Sequence, residues 1–164
     1  MVTALDMELV AVAVSVAAGC RPCTTYHLGA ARKAGAGEPA LEKAIAAAVC
    51  VRTSATEGMR RHALGLEGDP EGCGCGAVDL WEELASLGAS IAVNCTRNID
   101  KHLTAARRLG ATPEDLKAVF ASAESIRARA ISHGTARLES AGLPVTEPAH
   151  VRARDCASTS SSCC

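Results

Sequence analysis

Four residues near the start of the chain have types that can do thiol chemistry together: Glu8, Cys20, Cys23 and His27. Cysteine attacks as the thiolate, and an ordinary thiol with a pKa of about 8.5 is mostly protonated at neutral pH. Three features of the pattern favour the thiolate. Cys20 and Cys23 fall in the first turn of a predicted helix, where unpaired N–H groups and the dipole attract an anion. Cys23 and His27 stand at i, i+4, so they share a helix face. Glu8 comes from the preceding helix and can orient or charge the imidazole as the third member of a relay. Cys20 and Cys23 are i, i+3 neighbours, so an oxidised sulfur on one can be resolved by the other as a disulfide. The same residues admit other readings. They can be two buried cysteines on an apolar helix, or three zinc ligands (Cys20, Cys23, His27) with no fourth nearby in sequence. Taken alone, Glu8 also fits a charge that complements a helix N-terminus.

The elements that must position these residues follow from punctuation and periodicity. Residues 4–18 predict a helix with so little polar surface that it is buried on most sides. Gly19 ends it, and Pro22 suits the first turn of the next helix, where its missing N–H costs nothing. That helix runs to about Ala34 and stops at Gly35, with Arg32 and Lys33 in its last turn. A third helix spans about Pro39 to Leu64, and the glycine-rich run 65–76 reads as a loop.

The pattern then returns. A shift of 75 residues places Glu83 on Glu8, Cys95 on Cys20, His102 on His27, Gly110 on Gly35 and Arg127 on Arg52. Alanine-rich composition explains some coincidences, but not Glu, Cys, His, Arg and Gly falling into one register. The sequence therefore predicts an all-α fold of two fused three-helix repeats about a local pseudo-twofold axis. The second copy has helices near 79–93, 96–109 and 113–140. Thr112-Pro113-Glu114-Asp115 is the start signal of the last helix, with Thr as N-cap, Pro at the first position and acids in the first turn. The expected organisation is a helical domain over 1–142 (repeats 1–64 and 77–142, linker 65–76) and a mobile tail over 143–164, where Pro, Ser and Thr replace periodicity.

Bulk properties narrow the class. The chain has 164 residues, enough for one domain with a core and too few for two ordinary ones. Its net charge of −1 gives no reason to expect nucleic acid or an acidic membrane surface. Aromatics are only Tyr26, Trp81 and Phe120, and the apolar mass is mostly alanine, a strong helix former. Val16-Ala-Ala-Gly19 before Cys20 looks like a lipoprotein signal, but the segment ahead of it lacks Lys or Arg and carries Asp6 and Glu8. The uncharged run from Leu9 to Cys20 is too short to span a bilayer. Nine cysteines are an odd number, which fits a closed set of structural disulfides poorly and suggests a cytoplasmic protein with thiols kept for redox or metal chemistry.

Glu8, Cys20-x-x-Cys23 and His27, within ELVAVAVSVAAGCRPCTTYHLGAARKAGA, resemble the alkylhydroperoxidase D (AhpD)-like branch of the carboxymuconolactone decarboxylase family. The second copy matches in Glu83, Cys95 and His102 but has Asn98 at the second cysteine position. The resemblance implies an all-helical fold, assembly as homo-oligomers, and reduction of peroxides or electron transfer to a peroxiredoxin. It implies Cys23 as the relay-activated thiolate and Cys20 as its partner, with Glu8 and His27 moving the proton. The implied partners are a peroxide or disulfide substrate and a dithiol reductant. No dinucleotide or phosphate loop is visible, and the cycle needs no bound organic cofactor. The alternative function is a thiol protein that binds zinc, mercury or arsenite without turnover. A lyase like those that name the family is disfavoured by the C-x-x-C, on which such lyases do not depend.

The remaining cysteines extend these alternatives. Cys73-Gly-Cys75 sits among glycines flexible enough to bring both sulfurs to one ligand. Adjacent Cys163 and Cys164 would form a strained disulfide, so the pair suits exchange with another dithiol or a soft ion. An extended tail is long enough to carry them to the Cys20–Cys23 site as an electron shuttle. Cys50, within an alanine-rich helix, reads as a small core residue. Cys95 and His102 read as a degenerate copy that completes the fold, and His62, His133 and His150 have no informative spacing.

Overall fold

The first repeat begins with a helix whose start is written into its first residues. In the computed structural model, which describes residues 2–66 and 76–143, α1 spans Ala4–Ala17. Thr3 caps it: its hydroxyl accepts the Asp6 N–H at 3.1 Å, and the Asp6 carboxylate accepts the Thr3 N–H at 2.8 Å. α2 (Arg21–Lys33) and α3 (Glu38–Ala63) follow, and α4 (Leu80–Ala92), α5 (Thr96–Arg108) and α6 (Pro113–Ser140) repeat the order. No strand occurs among the described residues. The all-α expectation and the two three-helix units are therefore observed, with helix ends within a residue or two of those predicted.

The repeat extends to backbone conformation. Gly19 and Asn94, partners under the 75-residue shift, both adopt left-handed φ, at +70° and +56°. At each, the next residue reaches back across the helix end: Cys20 N–H donates to the Ser15 carbonyl and Cys95 N–H to the Ser90 carbonyl, both at 3.1 Å. Gly35 and Gly110 share the same conformation at the ends of α2 and α5. Arg52 donates to the Ala17 carbonyl at 2.8 Å and Arg127 to the Ile91 carbonyl at 3.4 Å, so a long-helix arginine closes each central helix.

Residues Met1–His133 form one compact unit and Gly134–Cys164 another. The core of the first is α1 against α4, with α2 and α3 also packed on α1, and α5 and α3 on α4. Every residue of α1 from Leu9 to Ser15 is buried, and so is every residue of α4 from Glu83 to Ile91. This explains the missing polar stripe: a helix covered on all sides has no face on which a charge could stay solvated. The buried serines bond within their own helices, Ser15 Oγ to the Val12 carbonyl and Ser90 Oγ to the Ser86 carbonyl. Val119, Ala123 and Ile126 of α6 complete the core. In the second unit, the end of α6 closes with Leu143 N–H donating to the Leu138 carbonyl at 3.1 Å. The predicted tail from residue 144 lies outside the described residues.

The central crossing is tight. A Cβ built on Gly88 would lie 2.8 Å from a Val14 methyl and 3.2 Å from a Val10 methyl. Gly88→Val therefore overpacks the core, and thermal unfolding should show a loss of roughly 3 kcal/mol, the upper end of ordinary overpacking costs. At the start of α6, Thr112 and Asp115 form the expected reciprocal cap, with Asp115 N–H donating to Thr112 Oγ at 3.1 Å. The Thr112 backbone N–H, with help from its hydroxyl, holds the Asp115 carboxyl below its ordinary range. A lowered native pKa means that the carboxylate stabilises the fold at neutral pH and that this contribution is lost on acidification. Thr112→Ala should cost about 1 kcal/mol at pH 7 and less as the pH falls through the carboxylate range, as denaturant titrations at several pH values would show.

Candidate active site

The left-handed turn at Gly19 delivers the chain from the end of α1 to the start of α2, where the two cysteines lie. Cys20 is the N-cap of α2 and Cys23 lies in its first turn. This amends the expectation that both sulfurs belong to the first turn. Cys20 Sγ serves as the capping acceptor, taking the Cys23 N–H at 3.3 Å, so the helix N-terminus acts most directly on the Cys20 sulfur. The two cysteines are joined as a disulfide across a Cα–Cα distance of 5.3 Å, within the usual range. Each is 5% exposed.

One turn along α2, His27 Nδ1 lies 3.1 Å from Glu8 Oε2. The Glu8 side chain is 34% exposed and that of His27 14%, so the pair borders solvent while the sulfurs are covered. The geometry therefore brings Glu8 and His27 together on the same helix pair that carries the disulfide. The Tyr26 ring stands edge-on to His27 with centroids 5.0 Å apart.

The second repeat keeps the same pair and closes it off. His102 Nδ1 bonds to Glu83 Oε1, with the two side chains 0% and 4% exposed. Cys95 is again an N-cap, but its side chain accepts no capping bond. Asn98, in the position of Cys23, is fully buried. Its amide donates to the Val51 carbonyl at 3.4 Å, and its Oδ1 has no hydrogen-bond partner among the described residues. A carboxylate–imidazole pair is thus common to both copies, whereas a dithiol and solvent access belong to the first alone.

Two residues depart in part from the sequence reading. Cys50 packs against the core as expected but is only half-buried, leaving a free thiol at the core's edge. It lines a cleft of about 450 Å³ with Lys43, Glu82 and Ser86, where Lys43 pairs with Glu82. Hydrogen bonding to Glu82 raises the Lys43 pKa. His133 of α6 stands beside the disulfide: among the described residues, Cys20, Cys23 and His133 form a group whose ligand atoms all lie within 4.8 Å of one another. The zinc alternative read from the sequence had His27 as the third ligand; the geometry replaces it with His133. Spacing gave no hint of this, because tertiary packing alone brings α6 to the start of α2. Cys73, Cys75, Cys163 and Cys164 lie outside the described residues.

An all-helical double repeat with a cysteine pair at a helix N-terminus and a carboxylate–imidazole pair on the same helix hairpin defines a class of thiol-bearing helical protein. The sequence matches the carboxymuconolactone decarboxylase family over residues 2–64 and 82–147, and the chain belongs to that family. No curated protein and no solved structure matches it significantly. No helix among the described residues is long and apolar enough to cross a membrane.

The difference in burial between the two pairs has a measurable consequence. Removing the carboxylate from a fully buried imidazole costs about 3 kcal/mol or more, whereas a partly exposed pair contributes about 1 kcal/mol or less. Glu83→Ala should therefore lower unfolding stability by the larger amount and Glu8→Ala by the smaller. Equal losses in denaturant titration would contradict the burial difference.

Proposed function

We propose that the protein is a thiol-dependent peroxidase and disulfide oxidoreductase of the AhpD-like kind. The observation that carries this reading is the Cys20–Cys23 pair at the start of α2 with a solvent-bordering Glu8–His27 pair one helical turn further along, while the second copy has neither a dithiol nor solvent access. Family membership supports it.

The cycle begins with the reduced dithiol. Cys23 thiolate attacks one peroxide oxygen, the O–O bond breaks, and the alkoxide leaves with a proton delivered through His27, which Glu8 orients. Cys23 is then a sulfenic acid. Cys20 attacks that sulfur, expelling water and closing the Cys20–Cys23 disulfide. An external dithiol returns two electrons and two protons. The sum is peroxide plus dithiol giving alcohol, water and disulfide. With a disulfide substrate, Cys23 attacks sulfur and Cys20 resolves the mixed disulfide. The N-cap bond to Cys20 Sγ helps the resolving sulfur to ionise. We also propose a cytoplasmic setting and a homo-oligomeric assembly; exposed Tyr26, Met59, Phe120 and Ile131 support the second.

Cys23→Ser should abolish peroxide consumption coupled to a dithiol. Cys20→Ser should also stop turnover but leave one sulfenic acid on Cys23, detectable with a dione probe. Glu8→Gln and His27→Ala should lower kcat/KM by about 100-fold or more, the usual scale of a lost proton-transfer group, with a changed pH profile. Full activity in Cys23→Ser would overturn the reading.

A further inference from the structure

The imidazole of His133 has no part in the cycle above. We propose that the reduced Cys20–Cys23 dithiol and His133 form a binding site for one thiophilic divalent cation of the zinc class, with two thiolates and one imidazole as ligands and water in the fourth position.

The ligand chemistry suits such an ion, and the spacing is close. All three donor atoms already lie within 4.8 Å of one another with the sulfurs bonded. Tetrahedral zinc with Zn–S of about 2.3 Å and Zn–N of about 2.0–2.1 Å needs sulfurs about 3.8 Å apart and an imidazole nitrogen about 3.6 Å from each. Opening the disulfide lets the sulfurs part by under ~2 Å, and the imidazole needs to close by about 1 Å. His133 is exposed on α6, so its ring can turn to meet the ion. The Cys23 N–H that donates to Cys20 Sγ would then steady a bound thiolate. His27 is outside the cluster, with its Nδ1 on Glu8.

The internal repeat gives a second line of support. His133 falls on Gly58 under the 75-residue shift. A Cβ on Gly58 would lie 2.9 Å from the Arg97 guanidinium, between Cys95 and Asn98. The same register of the two long helices thus meets the first turn of the other repeat's short helix, His133 at Cys20 and Cys23 and Gly58 at the Arg97 side chain. Where that turn holds two sulfurs, the facing residue is histidine; where it holds one, the residue at the same register is glycine.

Cation binding and disulfide formation exclude each other. Reduction by a dithiol adds two electrons and two protons to the Cys20–Cys23 bond, and the entering cation displaces those protons to solvent. Oxidation by a peroxide removes two electrons from the sulfurs, re-forms the S–S bond and expels the ion, while the peroxide takes up two protons and leaves as alcohol and water. Oxidation state would therefore set metal occupancy. The site goes beyond the peroxidase reading and requires only that the disulfide can be reduced.

The test uses the full chain, reduced with a phosphine and titrated anaerobically with Co²⁺, whose visible absorption reports tetrahedral thiolate ligation, followed by competition with Zn²⁺. One tight equivalent is expected in the reduced protein and none at this site after diamide oxidation. His133→Ala should weaken that equivalent by more than the roughly 10–100-fold typical of losing an outer-shell partner and shift the cobalt bands, and His27→Ala should retain it. Circular dichroism confirms that each variant is folded. An unchanged spectrum in His133→Ala, or in Cys20→Ser with Cys23→Ser, would place the metal elsewhere and overturn the proposal. Peroxide turnover is read separately: cobalt binding without turnover sinks only the peroxidase reading, and turnover without cobalt binding sinks only this one.

Discussion

The close crossing of α1 and α4 is the constraint from which the rest follows. Gly88 lies against Val10 and Val14 with no room for a Cβ, and both helices are buried along most of their length. Helices that approach this closely must be built from small and β-branched apolar residues. Charge is confined to the beginning of each central helix, where Glu8 and Glu83 sit. There the next helix of the same repeat brings an imidazole to meet it. The packing that makes the core therefore also sets the carboxylate–imidazole distance, and a hydrogen-bonded Glu–His pair arises as a by-product of a helical hairpin.

Given that pair twice, burial separates the two roles. A carboxylate and an imidazole with no solvent contact, as at Glu83 and His102, are a buried polar contact whose loss leaves an unsatisfied group. The same pair at the domain surface, as at Glu8 and His27, can exchange protons with water. The second repeat carries Asn98 where the first has Cys23, and the asparagine amide ties α5 to α3 through the Val51 carbonyl. One copy thus holds a buried amide contact where the other holds a cysteine pair.

The symmetry of a fused repeat also explains how a residue remote in sequence comes to the cysteines. Each long helix crosses to the other repeat, so the surroundings of the first dithiol are furnished by the second half of the chain. Divergence between the halves then changes the site without disturbing its own helices: glycine at position 58 and histidine at 133 leave the two folds alike but give the two cysteine turns different neighbours.

Local signals made much of this legible in the sequence. The start signal at Thr112–Asp115, the helix-ending Gly19 and Gly35, and the buried character of α1 all act through short-range backbone and hydrophobic rules. Those rules hold wherever the segment sits, so helix order, repeat register and the Cys20, Cys23, His27 spacing could be read directly. What the sequence left undecided depended on which surfaces meet. Nothing local says that Glu83 and His102 are enclosed while Glu8 and His27 border water, that Cys50 opens on a cleft, or that His133 stands beside the disulfide. Those outcomes were decided by the tertiary structure, because burial and contact between distant helices belong to the packed whole and are carried by no single segment.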